Sequence, residues 1–237
     1  AIRMLKAWKE RNVSQEMMTA AAEGESRLVY GLVIAGADVE TRNAQGETGL
    51  DLGVRFGHRD IVLIFLDKGV NGFNREECLQ KCDENKERND KLVEAADSGD
   101  NESVTRLLQE GAEITSRNSE GDTGLHLSAL RGHKDVIQTF ITHGADINIR
   151  GNYQVTPLMT SAAFGHLSCV QLLLAQGADT DLQNRWGYTA LMYSAKFNYP
   201  DIIGELLGHG TDDLLKDEDG DDALAVAKRN NSEDAIV

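Results

Sequence analysis

The side chains best suited to chemistry here are three cysteines, six histidines and a run of carboxylates near the C-terminal end. Cys78 and Cys82 lie four apart within Arg75-Glu-Glu-Cys-Leu-Gln-Lys-Cys-Asp-Glu and would share a face of a helix. A zinc site wants four ligands, and no histidine is near them in sequence. They read as part of a packed helix, and Cys169, within an apolar run, reads as core. His58, His133 and His166 each follow a glycine, and the last two are 33 residues apart. A catalytic imidazole has no reason to recur in register, so these three are expected to hydrogen-bond backbone at turns. His143 and His209 are expected to be exposed. Asp212, Asp213, Asp217, Glu218, Asp219, Asp221 and Asp222 crowd one segment. A calcium loop needs Gly at its sixth position and Glu at its twelfth; from Asp217 these are Asp222 and Lys228. The run therefore reads as a solvated capping face, or as a dock for a Lys/Arg-rich segment. Phosphate-cradling glycine loops, metalloprotease helices and nucleophile elbows are missing. The expectation is of no catalytic residues, no metal and no cofactor.

Composition narrows the partners. The 237 residues carry a net charge of −15, which repels phosphate backbones and argues against nucleic acid. Residues 1–84 hold 11 basic and 14 acidic side chains, residues 85–237 hold 13 and 25, so the later part is expected to favour a basic segment in its partner. No apolar run approaches the roughly 20 residues of a membrane span. An odd, small number of cysteines points to a reducing, intracellular and cytoplasmic setting. The chain starts at Ala1 and stops inside an apparent helix, which reads as a fragment of something longer.

The elements that must position these residues are visible as a repeat. Thr123, Thr156 and Thr189 are 33 apart, and each opens an apolar run: Thr123-Gly-Leu-His-Leu-Ser-Ala, Thr156-Pro-Leu-Met-Thr-Ser-Ala and Thr189-Ala-Leu-Met-Tyr-Ser-Ala. Threonine there, as at Thr48, is a helix N-cap, and Pro157 suits a first helical position. Gly24, Gly57, Gly99, Gly132 and Gly165 fall where a first helix must end in the left-handed region; Asn198 holds that slot later on. Gly36, Gly69, Gly111, Gly144, Gly177 and Gly210 close a second helix in the same way. Runs such as Val170, Leu172, Leu173 and Leu174 give that second helix an apolar stripe.

These residues resemble the ankyrin repeat, whose signature contains Thr-Pro-Leu-His-x-Ala. The resemblance implies an all-α solenoid of stacked antiparallel helix pairs with β-hairpin-like fingers, binding partners along a concave groove. Seven repeats are expected, starting at Glu10, Asn43, Asn85, Asn118, Gly151, Asn184 and Asp217, the last incomplete. Residues 10–75 hold the first two, 76–84 are an insertion, and 85–237 hold the rest. Residues 1–9, with Ile2, Met4, Leu5 and Trp8, read as a capping helix or the end of a preceding domain. His126 sits in the signature histidine slot and is expected to be structural. Four departures stand out. Gly49 and Gly124 replace the proline and should loosen the first turn. Gln154 replaces the turn glycine and should distort its finger. Val70-Asn-Gly-Phe departs from the expected Ala-Asp-Val-Asn.

Aromatic side chains mark the expected contact surface. Tyr153, Trp186 and Tyr188 fall on finger slots, and Phe164 and Phe197 at the exposed ends of first helices, with stacking expected to gather all five. Arg185, Arg131, Glu120 and Asp122 complete the candidate partner-binding set. The expected function is a non-catalytic module that holds a protein or peptide, without membrane insertion. The alternatives are a structural linker or spring within a large protein, or the targeting domain of an enzyme or channel whose working part lies elsewhere.

Overall fold

A computed structural model describes residues 2–70 and 74–235, with side chains described from Val13 onward, Glu233 excepted. The departure at 71–73 and the apolar face of Ile2, Met4, Leu5 and Trp8 fall outside what is described, although the backbone of the latter is helical. The described chain is helical, and its residues divide into two compact units, 1–90 and 91–237.

The first unit contains α1 (Ile2–Glu23), α2 (Ser26–Ile34), α3 (Gly49–Phe56), α4 (Arg59–Asp67) and the first part of α5 (Arg75–Ser98). Its core gathers Met17, Val29, Leu50, Ile61, Phe65 and Cys82. Thr48 caps α3 through a reciprocal box: the Asp51 amide donates to its hydroxyl at 3.3 Å, and its own amide donates to the Asp51 carboxylate at 2.8 Å. The stretch 76–84 is helical and continues without a break into the first helix of the third repeat. The slot of the third finger, beginning at Asn85, is therefore helix rather than hairpin.

The second unit holds the rest of α5, then α6 (Asn101–Gln109), α7 (Gly124–Arg131), α8 (Lys134–Thr142), α9 (Pro157–Ala163), α10 (Leu167–Ala175), α11 (Ala190–Lys196), α12 (Pro200–Gly208) and α13 (Ala223–Arg229). First helices pack on first helices, α7 on α9, α9 on α11, α11 on α13, and second helices α8, α10 and α12 pack likewise. The core repeats with the sequence: Leu125, Leu158 and Leu191 are buried, as are Ala129, Ala162 and Ala195, and Phe140, Leu173 and Leu206. Burying each such leucine contributes about 1.5–3 kcal/mol.

The left-handed positions are occupied as the spacing demands. Gly132 has φ 76°, Asn198 φ 60°, and Asn231 takes the same slot in the seventh repeat at φ 56°. At these turns glycine answers a second need. A Cβ on Gly24, Gly99 or Gly132 would stand within 3 Å of the imidazole of His58, His133 or His166. Each ring faces a carbonyl one helix pair back: Ala22 at 3.1 Å, Asp97 at 3.1 Å and Leu130 at 2.9 Å. Tyr199 fills the equivalent space over Gly165.

The expected loosening at Gly49 and Gly124 has a steric counterpart. A Cβ on Gly49 would lie 2.3 Å from the Phe65 ring, and one on Gly124 2.5 Å from Phe140. Where the first helical residue is larger, at Pro157 and Ala190, the facing position is the smaller Leu173 or Leu206. Volume is exchanged across the pair, as close packing requires.

Candidate functional site

Each finger is a short hairpin closed by its own backbone. Asn184 donates to Tyr188 O at 3.0 Å and Gly187 to Asn184 O at 3.0 Å, and the fingers starting at Asn43, Asn118 and Asp217 repeat this pattern. The side-chain oxygen of the first residue accepts two further amides: Asn184 Oδ1 takes those of Trp186 at 3.0 Å and Tyr188 at 2.9 Å. Neighbouring fingers are laced together one repeat apart. Arg117 donates to Arg150 O, Arg150 to Gln183 O and Gln183 to Lys216 O, at 3.0, 3.0 and 2.8 Å.

The fifth finger is different, and the expected distortion is present. Gly151 brings no side chain to brace the tip, and both Tyr153 (φ 54°) and Gln154 (φ 62°) adopt the left-handed region. Such non-glycine residues carry about 1–3 kcal/mol of strain each. A Cβ on Gly151 would meet Asp122 Oδ1 at 2.4 Å and His126 Nε2 at 2.8 Å, so a larger residue would have to displace both side chains. Asp122 Oδ1 instead accepts the Asn152 amide at 3.1 Å. His126 is buried; its Nδ1 lies 2.8 Å from the Thr123 hydroxyl and its Nε2 donates to Val155 O at 3.0 Å. Burial holds its pKa below the usual imidazole value, partly opposed by the Val155 carbonyl and the Asp122 charge.

Tyr153, held at this tip, tilts against Trp186 with ring centroids 4.9 Å apart at 36°. The Arg185 amide donates to Tyr153 O at 2.9 Å, and the Glu218 amide to Trp186 O at 3.1 Å. Main-chain bonds thus fix the two aromatic fingers in place. Tyr153 and Trp186 remain 49% and 42% exposed, so the pair is a braced platform that stays open to solvent.

A second aromatic group forms around Lys196. Its Nζ lies 5.4 Å from the Tyr188 ring and 5.5 Å from the Phe197 ring. Tyr188 also packs on Tyr193, with centroids 5.3 Å apart, and its hydroxyl accepts from Arg229 at 2.8 Å. The five expected aromatics are thus not one cluster: they form the Tyr153–Trp186 pair and the Tyr188–Lys196–Phe197 group. Phe164 is exposed, with no ring partner among the described residues. Tyr188 is half-buried against the core rather than confined to the surface.

The charged candidates divide similarly. Arg131 pairs with Asp97 at 2.9 Å, an exposed pair of a kind that contributes little. Glu120 is exposed at its finger, and Asp122 is tied to the next one. Arg185 is exposed, with no carboxylate partner among the described residues. Much of the acidic run is engaged internally. Asp217 Oδ1 accepts the Asp219 and Asp221 amides, Asp222 caps α13, and Arg229 lies 3.5, 3.1 and 2.7 Å from carboxylate oxygens of Asp217, Asp219 and Asp221.

Cys82 is buried on α5 with its Sγ 3.8 Å from Gly53 O, and burial pushes its thiol pKa up to about 11, far from thiolate chemistry at neutral pH. Among the described residues no group of histidine, cysteine and carboxylate is arranged to hold a metal, and no helix is long and apolar enough to cross a membrane. Lys196, Arg229 and Tyr193 were missed at the sequence level. The signal that finds the first two is an offset of eight residues between finger base and helix end, visible only once repeats are laid slot on slot.

Comparison with known proteins agrees with this architecture. A family model for three copies of the ankyrin repeat matches residues 92–184 and 158–237. The chain belongs to the ankyrin-repeat family. Two ankyrin repeat proteins of Rickettsia felis are similar to it. One is 43% identical over 59 residues, covering 24% of this chain and 89% of the relative. The other is 43% identical over 58 residues, covering 24% and 92%. Ankyrin repeats are generally protein-interaction modules, and the family is typically non-catalytic.

Proposed function

We propose that this chain is a non-catalytic interaction module that binds a protein or peptide through the fingers and first-helix ends of its fifth and sixth repeats. The observation that carries this reading is the Tyr153–Trp186 platform, held by main-chain bonds yet close to half exposed. Large apolar surface fixed in place but left in water is what an interface anchor requires. It is also an unfavourable arrangement unless something covers it, the more so because two left-handed residues are held to present Tyr153. The fingers are already braced by backbone and by the Arg117, Arg150 and Gln183 side chains, so the rings are not needed to hold them. The expectation of a basic partner segment rests on the acidic run, whose carboxylates are largely turned to Arg229 and to backbone amides.

The test is selection of random dodecapeptides displayed on phage against the full chain, followed by titration of a recovered peptide. Trp186→Ala is expected to weaken binding by about 2 kcal/mol. Thermal stability should fall by less, about 0.5–1.5 kcal/mol for loss of one aromatic pair. A clear loss of stability with unchanged affinity of the folded protein would make Trp186 a brace and end this reading.

A further inference from the structure

In the second, sixth and seventh repeats a cation stands two residues before the left-handed turn that ends the first helix, and the residue eight positions earlier, at the finger base, is an acid in two of the three. In the second repeat Arg55 lies over the Phe56 ring at 5.4 Å and pairs with Glu47, eight residues earlier, at 3.1 Å. In the seventh repeat Arg229 pairs with Asp221, also eight residues earlier, at 2.7 Å. In the sixth, the cation is Lys196, it lies over Phe197, and the residue eight earlier is Tyr188. An aromatic ring stands where the carboxylate stands in the other two. Among the described residues no carboxylate pairs with Lys196, and it is half-buried between two rings. The nearby Arg229 is satisfied three times over.

We propose that Lys196, walled by Tyr188 and Phe197, receives an aspartate or glutamate side chain of a bound peptide whose neighbouring large apolar residue covers Trp186 and Tyr153. This deepens the interaction reading and rests on it. A cation beside aromatic faces is attracted by the ring quadrupoles, and a carboxylate entering from outside completes the pair that Glu47 and Asp221 make internally. Arg185 is exposed on the finger that carries Trp186. The chain's net charge of −15 selects among anions: it repels phosphates and anionic membranes, whereas one carboxylate at short range is compatible with it.

The experiment uses the dodecapeptides selected on the full chain. They are expected to share an Asp or Glu within a few residues of Phe, Trp or Leu. A synthetic copy should bind Lys196→Met at least about tenfold more weakly and keep its affinity for Lys196→Arg. Tyr188→Glu, which restores the internal pair of the second repeat, should weaken binding to a similar degree. Should that variant fold poorly by circular dichroism, the two Lys196 variants decide alone. Peptides that are basic, or that ignore Lys196→Met, overturn the proposal. If those peptides still lose affinity with Trp186→Ala, the interaction surface stands and only the carboxylate falls. If nothing is selected, or if binding ignores both changes, both readings fall.

Discussion

The second and sixth repeats occupy the same slots and fill them with different chemistry. In the second, Gly49 faces Phe65, Asp51 answers the Thr48 cap, and Glu47 neutralises Arg55 over Phe56. In the sixth, Ala190 opens the helix, Leu206 takes the facing slot, Met192 follows the Thr189 cap, and Tyr188 takes the place of the acid beside Lys196. The backbone is alike in both: extended N-cap, short helix, left-handed turn, second helix, left-handed turn. A repeat constrains pairs of residues rather than single ones, and a partner missing from inside the chain is a place to look for one outside it.

The largest expected effect breaks a packing pair. Gly124→Ala puts a Cβ 2.5 Å from the Phe140 ring and 3.0 Å from Ala96 Cβ. It should destabilise the chain by about 1–3 kcal/mol in urea unfolding, although alanine is the better helix former. Adding Phe140→Leu, which copies the Ala190–Leu206 arrangement, should recover much of that loss. A double mutant that is merely additive would refute the idea of exchanged volume.

The next effect concerns the slot three residues after the capping threonine. It is Asp51 in the second repeat, His126 in the fourth and Met192 in the sixth. His126 has a folded pKa below its unfolded value. The unfolded chain therefore binds the extra proton first, and stability is full above the unfolded value of about 6.5. It should decline as pH falls through that value and level off below the folded pKa. Protonation also ends the acceptor role of Nδ1 toward Thr123. His126→Met, which copies the fifth and sixth repeats, should flatten this part of the stability curve between pH 7 and 5; an unchanged slope would assign the pH dependence elsewhere.

The smallest effect lies at the strained tip. Gln154→Gly should stabilise the second unit by about 1 kcal/mol, because glycine takes φ 62° without penalty. It should also loosen Tyr153 and so weaken peptide binding modestly. A gain in stability with no change in binding would show that the strain does not serve the platform.

Much of the fold was legible in the residues themselves. The threonine caps, both glycine series and the apolar stripes gave the helix pairs, because each is a local requirement repeated in register. The distorted fifth finger followed from Gln154 in a glycine slot. The site was less legible. The spacing placed Trp186 and Tyr153 correctly on fingers, but Phe164 and Tyr188 have fates that depend on what stands opposite them.

What the sequence determined by itself was the architecture: 33-residue periodicity, a cap before each apolar run, and left-handed residues where only Gly or Asn sits without large strain. These are backbone demands, satisfied within a few residues. What only the tertiary structure decided was the occupancy of space between repeats. Phe140 favours glycine at 124, Asp122 and His126 crowd the space a side chain at 151 would take, and the helix running from Arg75 through Ser98 removes the finger expected at Asn85. Lys196 belongs to the same class. Whether its charge is neutralised depends on a residue eight positions earlier, brought beside it by the turn from finger into helix, and a single-residue reading does not register that distance.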